Sequence, residues 1–252
     1  MPNYTWNEIK ARPEVISQLL DENGKFSFNN FIPMPEDIRN TTSGGGVDEL
    51  IALYLYENNT REKAEKLIKQ HNISVWVKHN KSYPKHKIID DLKERLKYYR
   101  VVDDNGCVHY IDIIKDGYGP DAKETCRKTG EDYFNNIIKF GHKDWYSWAN
   151  AKWGTKWDAF DVYVDPDRKF INFTTAWCEP DPIWEYICEK FPDEEIEFLA
   201  EYEDNLLIES SNYKGNWIIN AEYEKDFPED YDGDYDEIPW LNRETGKVRI
   251  EY

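Results

Sequence analysis

The sequence predicts a protein of the α+β class, in which strand-rich ends flank a helical middle. Residues 156–224 alternate apolar and polar side chains, a period typical of half-buried strands. Residues 47–152 instead repeat apolar side chains at helical spacing. Aromatic residues form 15% of the chain, so a large core is expected despite a mean hydropathy of −0.85.

The N-terminal region up to residue 35 predicts a β-α-β unit. Residues 3–10 alternate as a strand, and Pro13 stands in the first turn of a short helix, where proline is tolerated. The spacing of Phe26, Phe28 and Phe31 then predicts a second strand.

The helical middle is expected to be an insertion that enters at a flexible joint, the glycines of residues 44–46. A phosphate-binding loop is not expected there, because no strand precedes the glycines and no Lys-Ser or Lys-Thr pair follows them. Thr60 is expected to cap a helix, and Asn105-Gly106 either turns a hairpin or lies among helices. Further helices are predicted over residues 84–102, over 122–140 with Gly130 as a weak point, and over 143–152.

A tryptophan-rich stretch joins the helical middle to the strand-rich half of the chain. It runs from Trp145 to Trp177 and begins with tryptophans at helical spacing. A turn follows at Gly154, and strict alternation then begins on either side of Pro166-Asp167. The stretch therefore predicts a helix that docks onto a β-hairpin.

The rest of the chain continues the strand-rich half and ends in an acidic segment. A helix over residues 182–191 and strands up to residue 224 complete a β-β-α-β-β order. Residues 225–252 form a separate acidic C-terminal segment, in which Thr245-Gly246 is expected to turn a small hairpin.

Joining the two ends suggests one sheet interrupted by the helical middle. A ferredoxin-like sheet needs two β-α-β units whose helices pack on the same face. The simplest assembly is a split ferredoxin-like antiparallel sheet (β-α-β … β-β-α-β-β) formed by residues 1–46 and 153–224. Residues 47–152 are then a helical insertion, and residues 225–252 remain outside this domain.

Several short motifs make the chain resemble the YubB-type ferredoxin-like domain family of phages and conjugative plasmids. They are MPN at residues 1–3, PMP at 33–35, WGTKW at 153–157 and TAW at 175–177. The similarity covers residues 1–46 and 140–224, and it implies the split ferredoxin-like fold and a mobile-element origin. It implies no catalytic residues. The chain departs from the family at Cys178-Glu179, where family members often have a proline.

Charge is strongly segregated along the chain. Residues 1–160 hold 24 acidic and 24 basic side chains, whereas residues 161–252 hold 26 acidic and 8 basic ones. The whole net charge of −18 therefore lies in the final 92 residues. Residues 61–100 carry a local basic excess, with 12 basic against 5 acidic groups. Such a field affects partner choice and encounter rates more than it affects the fold.

Carboxylates spaced along a strand can present a basic partner with a row of negative charges like that of nucleic acid. The candidates are Glu195, Glu197, Glu201, Glu203, Asp204 and Glu209 on predicted strands, with Asp230, Asp232, Asp234 and Asp236 in the acidic segment. The leading hypothesis is a non-enzymatic phage or plasmid protein that inhibits a host defence or nucleic-acid-processing protein. The expected partner has a basic nucleic-acid-binding groove. A role in solubility alone is the competing explanation of the acidity.

A nucleic-acid-binding or nucleotide-binding module is the main alternative function. Ferredoxin-like sheets can stack bases on outward aromatic side chains, here Tyr163, Phe173 and Trp177, and the lysines of residues 61–100 could contact phosphate. The acidity of the second half opposes direct nucleic-acid binding, because it repels phosphate. A pocket lined by Trp153, Trp157 and Trp177 could instead hold a small nucleotide, although tryptophan clusters more often form core.

Catalysis is the third choice, and no cofactor or metal ion is expected. The chain lacks a Gly-x-Ser-x-Gly motif, and its histidines do not have the spacing of zinc ligands. The aspartates from residue 230 onward lack the later glycine and glutamate of a calcium loop. No apolar run approaches the roughly 20 residues of a membrane span, and no secretory signal is recognised, so a cytoplasmic location in the host cell is expected.

Overall fold

The computed structural model describes residues 3–44, 46–76, 83–96, 99–102, 108–111, 122–203, 205–225, 239–242 and 244–249. The chain divides into two compact units, residues 1–34 with 149–252, and residues 35–148. The junctions predicted from the sequence are 46/47 and 152/153.

The described strands and helices form a mixed α+β structure. The strands are β1 (Tyr4–Ala11), β2 (Tyr99–Val102), β3 (Val108–Ile111), β4 (Phe160–Val164), β5 (Phe170–Ala176), β6 (Ile196–Tyr202), β7 (Leu206–Tyr213), β8 (Asn216–Glu224), β9 (Trp240–Asn242) and β10 (Val248–Arg249). The helices are α1 (Pro13–Gln18), α2 (Glu36–Arg39), α3 (Val47–Asn58), α4 (Arg61–Gln70), α5 (Lys85–Arg95), α6 (Ala122–Phe140), α7 (Trp145–Lys152) and α8 (Asp181–Lys190). Among the helices that the structure describes, none is both long and apolar enough to span a bilayer.

An open antiparallel sheet of eight strands organises the first unit. Its strand order is β10-β9-β8-β7-β6-β1-β5-β4, so β1 lies between β5 and β6. Neighbouring strands bring Ile9 of β1 beside Ile171 and Phe198, all of which are buried. Trp184 of α8 stacks on Phe198 with a ring-centre distance of 5.0 Å, so α8 covers this face of the sheet. We call the opposite face, which lies away from α8, the helix-free face.

The C-terminal strands β9 and β10 extend the sheet. They pair antiparallel around Thr245-Gly246, as the predicted small hairpin requires, and Trp240 is buried. Residues 225–252 were predicted to be a segment separate from the ferredoxin-like domain, but Trp240–Asn242 and Val248–Arg249 add two strands to the edge of the same sheet.

The second strand predicted for the N-terminal unit is wrong. Residues Phe28–Asn30 form a 3-10 turn instead, and Phe26, Phe28 and Phe31 are all buried. The three rings pack together, and those of Phe26 and Phe28 also pack against the ring of Phe173 on β5. Ring packing in the core therefore outweighs the alternating pattern, which favoured a strand.

Asp158 holds this aromatic turn in place. Its carboxylate accepts hydrogen bonds from Ser27 Oγ at 2.6 Å, Phe28 N at 2.6 Å and Asn29 Nδ2 at 2.9 Å. We expect Asp158→Ala to lower the free energy of unfolding by about 2 kcal/mol or more, because three donors lose a charged acceptor. Urea denaturation measures the effect, and Asp167→Ala in an exposed turn is the matched control. Equal losses for the two variants would contradict this role of Asp158.

Residues 35–148 form a helical unit, as predicted for most of the middle region. Its core is built mainly by α3, α5 and α6, and the buried side chains include Leu50, Leu53, Ile88 and Leu92. The predicted cap at Thr60 is confirmed, since its hydroxyl accepts a hydrogen bond from Lys63 N at 3.3 Å. The strands β2 and β3 pair antiparallel, whereas Asn105-Gly106 between them lies outside the described residues.

Candidate functional site

Strand β6 and the residues that flank it carry four of the predicted partner-binding carboxylates. Alternate residues of a strand share one face, and Phe198 and Ala200 point toward α8 and are buried. Glu197 and Glu201 therefore lie on the helix-free face. Glu195 and Glu203 flank the strand at exposed positions. We call Glu195, Glu197, Glu201 and Glu203 the acidic row.

Basic side chains of β1 and its neighbourhood partly balance one end of the acidic row. Lys10 lies opposite Glu197 in the strand register, and its Nζ atom is 2.7 Å from a carboxylate oxygen of Glu8. Arg12 pairs with Glu194. Both cations pair with carboxylates that are not members of the acidic row, so the row keeps much of its negative character.

Glu209 is engaged inside the molecule. Arg249 Nε lies 2.8 Å from Glu209 Oε1, and the hydroxyl of Tyr223 donates to Oε2 at 3.1 Å. Two strands separate β10 from β7 in the sheet, and adjacent strands lie ~4.8 Å apart, so this contact requires the sheet edge to curl over. Asp204, Asp230, Asp232, Asp234 and Asp236 lie outside the described residues.

The three tryptophans proposed to hold a nucleotide occupy different environments. Trp153 is buried, its Nε1 donates to the carbonyl of Ile32 at 2.9 Å, and its ring lies against Phe28. Trp157 and Trp177 are partly exposed, and Lys156 Nζ lies 4.4 Å and 5.4 Å from their ring centres. Trp153 is thus a core residue, while the other two present rings and a cation at the surface.

Two of the three aromatic side chains expected to face outward do so. Tyr163 and Trp177 are exposed, but Phe173 is fully buried under the N-terminal turn. The expectation for Phe173 is wrong because Phe26 and Phe28 cover its face of the sheet.

A cleft of about 360 Å³ opens on the helix-free face next to the acidic row. Its lining includes the aromatic residues Tyr4, Trp6 and Phe160, together with Asp161, Glu201 and Glu203. Of these residues, only Glu201 and Glu203 were predicted as site residues from the sequence. The alternation of Tyr4 and Trp6 indicated a shared face, but only the register of the sheet brings that face beside Glu201.

A buried carboxyl group, that of Glu179, and a half-buried one, that of Asp181, lie where β5 leads into α8. Burial raises the pKa of Glu179 to about 7, and nearby Asp181 and Glu222 add to the effect. Burial likewise raises the pKa of Asp181 to about 6, with a contribution from Glu185. Glu179 Oε2 and Asp181 Oδ1 are buried, and neither accepts a hydrogen bond from a residue that the structure describes. Neither residue was singled out from the sequence, because nothing local distinguishes a buried carboxylate from the many exposed ones.

The WGTKW motif packs directly against this junction. A Cβ atom on Gly154 would lie 2.8 Å from Pro182 Cδ, and Gly154 has a φ of +78°, so only glycine fits there without strain. The Thr155 hydroxyl donates to the carbonyl of Ala176 at 2.7 Å, and Cys178 Sγ lies 3.1 Å from the Gly154 carbonyl oxygen. Two of the resembling motifs therefore contact each other as a structural joint. In the part of the chain that the structure describes, no three His, Cys, Asp or Glu side chains cluster as metal ligands would.

No family model and no curated protein matches the chain. A crystal structure of the protein api92 from Yersinia pseudotuberculosis, of the family DUF1281, is similar at 11% sequence identity. The alignment covers 90% of this chain and 99% of that one, with a TM-score of 0.35.

Proposed function

We propose that this chain is a non-enzymatic phage or plasmid protein that inhibits a host defence or nucleic-acid-processing protein. It would bind through the helix-free face of its sheet. The observation that carries the proposal is the acidic row, since Glu197 and Glu201 share that face and Glu195 and Glu203 continue it at exposed positions. The mobile-element origin rests on the motifs that resemble the YubB-type family.

The acidic row suits a partner that normally binds nucleic acid. Alternate residues of a strand are about 6.6 Å apart, so the row can meet several basic groups of a groove at once. The net charge of −18 adds a long-range field that attracts a basic partner. Binding of this kind weakens steeply with salt, because the charges that produce it are exposed.

We further infer that the first unit contains a split ferredoxin-like core. Its support is the order β6-β1-β5-β4, in which β5 and β6, joined by α8, flank β1. Strands β1 and β4 likewise flank β5, and α1 follows β1. This interleaving is what two split β-α-β units require. NMR contacts between the backbone of Ile9 and those of Ile171 and Phe198 test it, and their absence would rule it out.

The inhibitor proposal predicts that neutralising the acidic row abolishes partner capture. The variant carries Glu195→Gln, Glu197→Gln, Glu201→Gln and Glu203→Gln, and its control carries Glu14→Gln, Glu22→Gln, Glu185→Gln and Glu189→Gln. The control removes the same number of carboxylates elsewhere on the first unit; all four are exposed, whereas Glu201 of the acidic row is half-buried. Tagged proteins are incubated with nuclease-treated host lysate, and bound proteins are eluted with salt or with duplex DNA.

We expect the parent chain and the control to retain a basic protein that DNA displaces, and the acidic-row variant to bind it at least ~10-fold more weakly. Retention of the same protein by all three chains, or capture of no basic protein, would reject the proposal.

Binding of single-stranded nucleic acid is a second candidate. Lys156 lies between the partly exposed rings of Trp157 and Trp177, and single-stranded nucleic acids bind to such combinations of aromatic rings and cations. A gel shift with single-stranded oligonucleotides separates the two functions. A shift that Trp157→Ala abolishes would favour this candidate over the inhibitor.

A further inference from the structure

The cleft beside the acidic row combines aromatic rings and carboxylates on one face of the sheet. Trp6 is paired with Glu201 on one side and with Thr174 on the other, and Thr174 is also paired with Phe160. These pairings place Trp6, Phe160 and Glu201 on the helix-free face. The ring of Tyr4 meets the ring of Phe160 edge to face, with centres 5.4 Å apart.

A bulge in β4 brings a further carboxylate to the cleft. The pairing of β4 with β5 shifts register between Phe160 and Tyr163, and Asp161 between them has a φ of +49°. In a regular strand, Asp161 would point away from Phe160, yet both residues line the cleft. Bulges commonly redirect a side chain in this way. The left-handed region is a strained backbone conformation for residues other than glycine, and residues in it are enriched at functional sites.

The chemistry of this lining favours a cation. Three carboxylates belong to the lining, those of Asp161, Glu201 and Glu203, and none of the described residues that line the cleft is basic. Aromatic faces attract cations, and carboxylates pair with them. Arginine matches both features better than lysine, because its planar guanidinium stacks on aromatic rings and donates in a fixed fork. A volume of about 360 Å³ lies within the range of ligand-binding clefts.

We propose that the cleft between Tyr4, Trp6 and Phe160 receives an arginine side chain of the partner protein. This inference rests on the proposed function and names the group that the partner inserts. The guanidinium stacks on the aromatic rings and pairs with Asp161 and Glu203, while the acidic row meets neighbouring basic groups. The cleft thereby provides a specific anchor within an otherwise long-range electrostatic surface.

A short peptide tests the cleft without any knowledge of the partner. Acetyl-Gly-Arg-Gly-amide is titrated into the isotope-labelled full chain, and the indole resonance of Trp6 is followed by NMR. The control peptide replaces arginine with citrulline, which has nearly the same shape and no charge. We expect the arginine peptide to shift the Trp6 resonance with a Kd at least ~10-fold lower than the citrulline peptide.

Variants that leave the acidic row intact separate the cleft from the proposed function. Tyr4→Leu with Asp161→Asn is expected to weaken binding of the arginine peptide at least ~5-fold. Tyr163→Leu with Asp167→Asn, exposed positions nearby that do not line the cleft, should bind as the parent does. Equal affinity for the two peptides, or equal binding by the two variants, would overturn the cleft proposal. If arginine binds at the cleft but no basic protein is captured from lysate, only the inhibitor proposal fails.

Discussion

Replacing Gly130 with alanine is expected to destabilise the helical unit by about 2–3 kcal/mol, although alanine is normally the better helix residue. A Cβ atom at this position would lie 2.4 Å from the carbonyl oxygen of Leu50 and 3.2 Å from Tyr54 Cβ. Gly130 belongs to α6, and Leu50 and Tyr54 belong to α3, so the backbones of the two helices meet here. Alanine would force them apart, and the cost of separating packed helices exceeds the ~1 kcal/mol that alanine gains in helix propensity.

Urea unfolding and native-state hydrogen exchange measure this effect in complementary ways. Exchange at amides of α3 should accelerate in the Gly130→Ala variant, while amides of β1 in the other unit keep their protection. Asn135→Ala, an exposed substitution on the same helix, is the control and is expected to be neutral or slightly stabilising. A Gly130→Ala variant that is as stable as the parent would mean that the two helices do not approach so closely.

The second large effect is a pH-dependent gain of stability from Glu179→Gln. Burial raises the pKa of Glu179 in the folded chain to about 7, against an ordinary value of 4.5. Between these two values the folded chain holds a proton that the unfolded chain has already lost, so stability falls as the pH rises. Above about pH 7 the whole penalty is present, and a shift of roughly 2.5 units corresponds to about 3 kcal/mol.

Glutamine removes the ionisable group and with it the penalty. At pH 8 we expect Glu179→Gln to be more stable than the parent by about 2–3 kcal/mol, and at pH 4.5 the two should unfold together. Thermal unfolding followed by circular dichroism from pH 4.5 to 8 measures the difference. Glu189→Gln, exposed on α8, is the control and should follow the parent throughout. Parallel curves for Glu179→Gln and the parent would show that Glu179 ionises normally.

Local patterns were enough to predict much of the secondary structure. The helix predicted over residues 182–191 is α8 (Asp181–Lys190), and the helix predicted over 143–152 is α7 (Trp145–Lys152). Both carry apolar side chains at helical spacing between clear start and stop signals, and such elements need no distant partner to be recognised. The turn at residues 28–30 was missed because its three aromatic rings imitate the period of a strand.

Gly130 shows that helix propensity alone cannot explain why a residue occupies its position. Its sequence context suggested only a weak point in a helix, whereas the structure makes it the place where α3 and α6 touch. A helix-propensity scale cannot distinguish a weak point in a helix from a close contact between helices. The residue that requires glycine here belongs to another helix, about 80 positions earlier in the chain.

The candidate site could also be predicted only in part from the sequence. Alternation of apolar residues along 195–203 predicted a strand with Glu195, Glu197, Glu201 and Glu203 on it, and two of these, Glu197 and Glu201, lie on β6. The cleft beside them could not be predicted, because Trp6 and Glu201 become neighbours only when β1 pairs with β6. The same holds for Arg249, whose contact with Glu209 depends on the curl of the sheet edge.

By itself, the sequence determined the α+β class, the helical middle, the strand that carries the acidic row and the concentration of negative charge after residue 160. These properties follow from the composition and from the spacing of apolar and polar residues, which can be read from short stretches of the chain. Only the tertiary structure decided which strands pair, which carboxylates are buried or neutralised, and where aromatic rings meet acidic groups. Those outcomes depend on contacts between segments that are distant in the sequence, and such contacts produce no periodic pattern of residues.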